Sequence, residues 1–130
     1  MLGEKYVRAK ILRTKLFAFT GLLLLLSLNV PPALAYGKAN SFKVKFVRVD
    51  RSGKGYVEFD SNLVANPPAC TQSSYQRALA FDTNTAGGAA ILSVALAAQA
   101  SGRRIIAYGT HGCDTYSGVM EDWNWGRIID

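Results

Sequence analysis

The stretch DTNTAGGAAILSVALAAQASGRRIIAYGT, residues 82–110, is the most informative about the fold, because it combines a helix start, a helix, a helix end and a strand. The side-chain oxygens of residues 83–85 can cap a helix, and the small or aliphatic run over residues 86–100 is long enough to favour one. Gly102 is a natural residue to end it, since glycine readily takes the left-handed conformation found there. A strand over residues 103–110 follows.

The predicted helix carries no charge. No Lys, Arg, Asp or Glu lies between Thr83 and Ser101. An exposed helix on a lone soluble domain normally has a charged outer side, whereas apolar residues here lie on more than one side. We therefore expect this helix to be covered on more than one side. The residues spaced along one side are Ile91, Leu92, Ala95, Leu96 and Gln99.

Three strand patterns precede the helix and two follow it. In the first, residues 42–50, apolar residues alternate with basic ones until the parity flips between Phe46 and Val47. One extra residue in a strand, a β-bulge, produces such a flip and bends the strand. We therefore expect this strand to bend from one sheet into another. The remaining strands are predicted over residues 56–63, 74–82, 103–110 and 119–130.

This order, β-β-β-α-β-β, predicts an all-β fold with one helix. It is the order of the OB-fold, a five-stranded Greek-key barrel whose helix, between strands 3 and 4, plugs one end. Closure into a barrel also removes exposed sheet edges. An α+β sandwich of the same order is the alternative. The predicted domain covers residues 42–130, preceded by a flexible lead-in over residues 36–41.

Residues 1–35 have the layout of a secretory signal peptide. A basic start is followed by an apolar run over residues 16–30 and by the small-x-small site Ala33-Leu34-Ala35. The run is shorter than the ~20 residues that span a bilayer. We expect cleavage after Ala35, a periplasmic or secreted protein, and no stable membrane span after cleavage. An uncleaved membrane anchor is the alternative.

Charge argues against a nucleic-acid partner. The chain has 15 Lys/Arg and nine Asp/Glu, but five of these basic residues and one acidic residue lie in the leader. The mature part, with ten basic and eight acidic residues, is close to neutral, whereas nucleic-acid-binding domains carry a strongly basic surface. Arg103 and Arg104 alone form a weak patch.

The only cysteines are Cys70 and Cys113. An even number in an exported chain indicates a disulfide, and closing a loop of this length stabilises a fold by roughly 4 kcal/mol. A metal or redox pair is the alternative, but the chain has no C-x-x-C motif and a single histidine. We predict no metal site and no cofactor.

No catalytic constellation is predicted. A Ser/His/Asp or Cys/His set would need His111, the only histidine, which lies in a turn. Glu121 and Asp122 are adjacent, so they point to opposite faces of a strand. Glu58 and Asp60 share a face, as the paired carboxylates of a glycosidase would, but two acids on a solvent-exposed face are far commoner without catalysis.

Aromatic residues near the end of the chain are better candidates for function. Sugar rings stack their apolar C–H faces on aromatic rings, while their hydroxyls need polar partners. Tyr116, Trp123 and Trp125 supply rings, and Asp114 supplies a carboxylate. Trp123 and Trp125 share a strand face by parity, so we expect at least one of them to face the core.

Two stretches resemble exported proteins similar to the B subunit of subtilase cytotoxin. They are NPPAC, residues 66–70, and YQRALAFDTNTAGGAAILSVALAAQASGRRIIAYGTHGCD, residues 75–114. The shared features are a cysteine after a proline loop, the helix LSVALAAQASGR, and a cysteine turn after the next strand. The resemblance implies an OB-fold, a Cys70–Cys113 bridge and a carbohydrate-binding subunit. It also implies a homo-oligomer, a pentameric ring with the helices toward its pore, and a toxin A subunit as a candidate partner.

The chain departs from a complete toxin in two ways. It contains no enzymatic segment, and no sugar-binding motif of the family can be matched onto it residue by residue. The sequence therefore predicts an exported, non-enzymatic OB-fold domain that binds a glycan or glycoprotein and forms a ring. The alternative is an exported protein-binding or envelope module on the same barrel. A small envelope hydrolase, a third class, would need His111 or Glu58.

Overall fold

A computed structural model of the chain describes residues 36–130. The predicted leader and its cleavage site lie outside the described residues. The elements are β1 (Lys38–Val49), β2 (Lys54–Phe59), a 3-10 turn (Ser73–Tyr75), β3 (Ala78–Asp82), α1 (Ala86–Ser101), β4 (Arg104–Gly109) and β5 (Trp123–Ile129). The prediction of an all-β fold with one helix is confirmed. No helix within residues 36–130 is long and apolar enough to cross a membrane.

The five strands form one antiparallel sheet in the order β3-β2-β1-β4-β5. The long strand β1 pairs with two strands: its first half pairs with β4 and its second half with β2. One register shift lies between Asn40 and Phe42 and another between Val44 and Phe46. The strand therefore changes partner within one sheet, and its second register shift lies just before the parity flip predicted between Phe46 and Val47.

The prediction of a flexible lead-in is wrong for its later part. β1 begins at Lys38, and Ala39 is fully buried. These residues pair with β4, where Lys38 lies opposite Tyr108 and Ala39 opposite Ala107. A partner so distant in the chain leaves no local signal in the short polar sequence around Lys38.

The hydrophobic core lies between the sheet and α1. Strand residues such as Phe59, Leu79 and Ile105 are fully buried, and α1 contributes Ala95 and Ala98. Small helix residues let the helix approach the sheet closely, which explains why the sequence avoids bulky residues there.

Both predicted ends of the helix are confirmed. The Thr85 side chain accepts a hydrogen bond from the Gly88 N–H at 3.0 Å, and Gly102 closes the helix with φ of 66°. The first turn of α1 lies directly on β3, since a Cβ on Gly88 would stand 1.8 Å from the carbonyl oxygen of Asp82. The sequence that caps the helix therefore also anchors it to the sheet.

The two outer strands approach each other. A parallel bridge joins Ala80 in β3 to Asp122, which immediately precedes β5. The Ala80 N–H donates to the carbonyl oxygen of Glu121 at 2.8 Å. The segment that leads into β5 is therefore held against β3.

The predicted disulfide is confirmed. Cys70 and Cys113 are bonded, with their Cα atoms 6.3 Å apart. The bond joins the proline loop after β2 to the loop after β4. It therefore fixes the loop whose end leads into β5.

Candidate functional site

A groove runs between α1 and β5, and we name it the α1–β5 groove. Its apolar half encloses about 170 Å³ between Ala90, Ile91, Val94, Trp123, Trp125 and Gly126. Its polar half encloses about 280 Å³, and its polar lining side chains are Asp82, Thr85, Thr115, Asp122 and Asn124. Ile91 and Trp123 line both halves, so the two halves adjoin each other.

Trp123 lies between the core and the groove. Its side chain is 6% exposed, and its ring packs on Phe59 with centroids 5.9 Å apart. A Cβ on Gly126 would stand 2.6 Å from the indole, so only glycine leaves room for the ring. The indole N–H is buried and has no acceptor within residues 36–130. Such an unsatisfied donor costs about 1–3 kcal/mol.

Trp125 forms the exposed end of the groove. Its side chain is 48% exposed and stacks on Tyr108, with ring centroids 4.5 Å apart and an interplanar angle of 19°. Tyr36 contacts the same tyrosine at 5.9 Å, and the Lys38 ammonium lies 4.9 Å from its ring centre. The indole is thus an exposed aromatic surface held in a fixed orientation.

The prediction that Trp123 and Trp125 share a strand face is wrong. Trp125 lies opposite Tyr108 and Trp123 lies opposite Gly109, although these two partners are adjacent in β4. Because Asn124 is an extra residue in the ladder, the two indoles fall on different sides of the sheet. One indole does face the core, as the sequence predicts.

The polar half of the groove is built from side chains held by the backbone. The Asp122 carboxylate accepts hydrogen bonds from the backbone N–H groups of Asp114 at 2.7 Å and Thr115 at 3.0 Å. Asp82 Oδ1 accepts from the backbone and the side-chain amide of Asn84, at 2.9 and 2.8 Å. Asn124 is exposed at the bulge. The groove wall therefore offers carboxylate, amide and hydroxyl groups in fixed positions.

The other two candidate residues lie elsewhere. Tyr116 is half-buried, contacts the edge of Tyr56 with centroids 5.8 Å apart, and its hydroxyl donates to Asp50. Burial, with the hydrogen bond to Asp50, raises the pKa of Tyr116 to about 12. Asp114 is exposed and touches the groove only through its backbone bond to Asp122. The structure therefore brings together the two tryptophans but not all four predicted residues.

Glu121 is buried, which the sequence analysis did not predict. Its side chain is fully buried, and its carboxylate accepts from the N–H groups of Gly37 at 2.7 Å and His111 at 3.0 Å. Burial raises the pKa of this carboxyl above its ordinary value, and the two N–H bonds offset this only in part. Glu121 precedes the inward-facing Trp123 by two residues, so strand parity could have indicated its burial.

A hydrolase would need His111 or Glu58, which the structure places in the loop after β4 and in β2. His111 is an exposed turn residue with φ of 76°. Glu58 forms ion pairs with Lys45 at 3.5 Å and Arg77 at 3.9 Å. No group of three His, Cys, Asp or Glu side chains within residues 36–130 could hold a metal ion.

Comparisons with family models, curated proteins and solved structures found no match for this chain. The resemblance to toxin B subunits therefore rests on the quoted sequence features alone.

Proposed function

We propose that this protein is an exported, non-enzymatic carbohydrate-binding domain that binds a glycan or glycoprotein in the α1–β5 groove. The observation that carries the proposal is a groove bordered at one end by the exposed residue Trp125 and at the other end by five polar residues. A sugar ring needs this combination, because it has apolar C–H faces and hydroxyl groups at its edge.

The groove is preorganised for such a ligand. Tyr108 holds the indole of Trp125 on one side, and backbone donors hold the Asp122 carboxylate. A ligand that binds groups already fixed in place loses less affinity to the ordering of side chains. The buried N–H of Trp123 adds a donor that lacks an acceptor in the described chain.

We further propose that the sheet closes into an OB-type barrel and that copies of the protein assemble into a ring. The parallel bridge between Ala80 and Asp122 supports closure, because it connects the two outer strands. The outer side of α1 supports assembly, since Leu96 is 47% exposed and no charged residue lies between Thr83 and Ser101. The resemblance to toxin B subunits leads to the same expectation.

A glycan array tests the proposed function. We expect the protein to bind a subset of glycans, and Trp125→Ala to weaken that binding by about tenfold, or about 1.4 kcal/mol. Trp125→Phe should keep part of the affinity. Tyr36→Ala is the matched control, because Tyr36 also contacts Tyr108 but does not line the groove. Unchanged binding by a folded Trp125→Ala variant would refute the proposal, as would binding of no glycan.

A protein-binding or envelope module is the second candidate. The exposed and uncharged outer side of α1 favours it, because apolar surface of this kind is typical of protein contacts. A chain that binds no glycan and remains monomeric would favour this candidate over the first.

A further inference from the structure

The polar half of the α1–β5 groove carries negative charge. Asp82 and Asp122 both line it, and none of its lining residues is Lys, Arg or His. The bridge between Ala80 and Asp122 is parallel, so Asp82 and Asn124 each follow it by two residues in the same direction. Two acidic groups and an amide therefore border the same space.

The hydrogen bonds and ion pairs found within residues 36–130 bring no cationic side chain to these two carboxylates. Asp82 accepts from Asn84, and Asp122 accepts from two backbone N–H groups, all of them uncharged donors. The ion pairs found within residues 36–130 involve neither residue. Lys54 lies opposite Asp82 in the β2–β3 ladder but is not part of the groove lining.

The start of α1 opposes this charge only in part. Gly87 and Gly88 of the first turn line the same half of the groove, and a helix N-terminus carries roughly half a positive charge. Two full negative charges exceed it. We therefore expect a negative field in this half of the groove, where screening by water is weaker than in open solvent.

We propose that the α1–β5 groove selects neutral sugar residues and rejects acidic ones. This inference rests on the proposed function and adds the chemical class of its ligand. The hydroxyls of a neutral sugar donate hydrogen bonds to carboxylate oxygens, whereas the carboxylate of an acidic sugar meets like charge. The selectivity thus comes from repulsion between carboxylates as well as from hydrogen bonds to sugar hydroxyls.

Matched pairs of oligosaccharides test the inference on protein expressed from the full chain. Each pair differs only at its terminal residue, glucose against glucuronate or galactose against galacturonate. We expect the neutral member to bind at least about tenfold more tightly, and added salt to reduce this ratio. Asp82→Asn should lower the ratio by about threefold or more, because the amide keeps the oxygen that Asn84 contacts but removes the charge.

Asp60→Asn is the matched control. Asp60 is exposed, lies outside the groove and contacts the Lys43 N–H through one oxygen, so the same change of charge should leave the ratio unaltered. Equal or tighter binding of the acidic member would overturn the inference and leave the proposed function standing. A ratio that Asp82→Asn does not change would also overturn it. Failure of every pair to bind would overturn both.

Discussion

Glu121 connects segments that are far apart in the sequence. Its carboxylate receives hydrogen bonds from Gly37, before β1, and from His111, after β4. The space around it is full, since a Cβ on Gly109 would stand 2.0 Å from one of its oxygens. A buried carboxyl with two donors is costly to place but specifies one arrangement of these segments.

The buried position of Glu121 predicts a dependence of stability on pH. Burial raises its pKa above the ordinary 4.5 in the folded protein. Its contribution to stability is therefore complete below that value and is lost as the pH rises through the raised pKa. Urea unfolding should show the wild type losing free energy relative to Glu121→Gln, which cannot titrate, as the pH increases from about 4 to 7. Parallel pH profiles for the two proteins would contradict this account.

The hydrogen bond from Tyr116 makes a second prediction, which concerns the pKa of Asp50. The hydrogen bonds from Tyr116 and Arg48 lower the pKa of Asp50 below its ordinary 3.8. Tyr116→Phe should raise the pKa of Asp50, as measured by carbon NMR of the carboxyl group, although Arg48 at 2.8 Å keeps part of the effect. Tyr75→Phe is the control, because Tyr75 also contacts Tyr56. An unaltered Asp50 in Tyr116→Phe would show that the hydrogen bond does not exist in solution.

At the scale of single elements, the contact between α1 and β3 depends on one glycine. Gly88→Ala places a Cβ 1.8 Å from a backbone oxygen of Asp82, which α1 cannot avoid without moving. We expect a loss of about 1–3 kcal/mol in unfolding free energy. Gly87→Ala, where no atom lies within 4 Å of the new Cβ, should instead stabilise by up to about 1 kcal/mol. Similar thermal shifts for the two variants would contradict this packing.

The elements could be predicted from local sequence, but their registers could not. The caps Thr85 and Gly102 determine α1 by local chemistry, and alternation reveals the strands. The extra residue Asn124 in β5 is defined only by its pairing with β4. For that reason the sequence predicted both tryptophans on one face, whereas the two indoles lie on different sides of the sheet.

At the scale of the whole molecule, the site is made by contacts between distant segments. The sequence indicated the Cys70–Cys113 bond because there are only two cysteines. It did not indicate that Asp82 and Asn124 border one groove, since this follows from the β3–β5 bridge. The sequence also did not indicate the surroundings of Tyr116. This residue contacts Tyr56 and Asp50, which belong to the other half of the sheet.

If copies of the protein assemble through α1, a charged side chain introduced on this helix should disrupt the assembly. Leu96 is 47% exposed on a helix without charged residues. If copies pack through this side, the wild type should be oligomeric by light scattering, and Leu96→Lys should shift it to the monomer. Val49→Lys is the control, since Val49 is also 47% exposed but lies on β1. A wild-type monomer at micromolar concentration would contradict the proposed ring.

Nitrogen–proton NMR of the indole groups shows whether a bound glycan occupies the α1–β5 groove. The chain has two tryptophans, so its spectrum contains one side-chain N–H signal for Trp123 and one for Trp125. Titration with a neutral oligosaccharide that the protein binds should shift both signals, because both tryptophan residues border the α1–β5 groove. Binding that leaves both signals in place and shifts backbone signals elsewhere would show that the glycan does not occupy this groove.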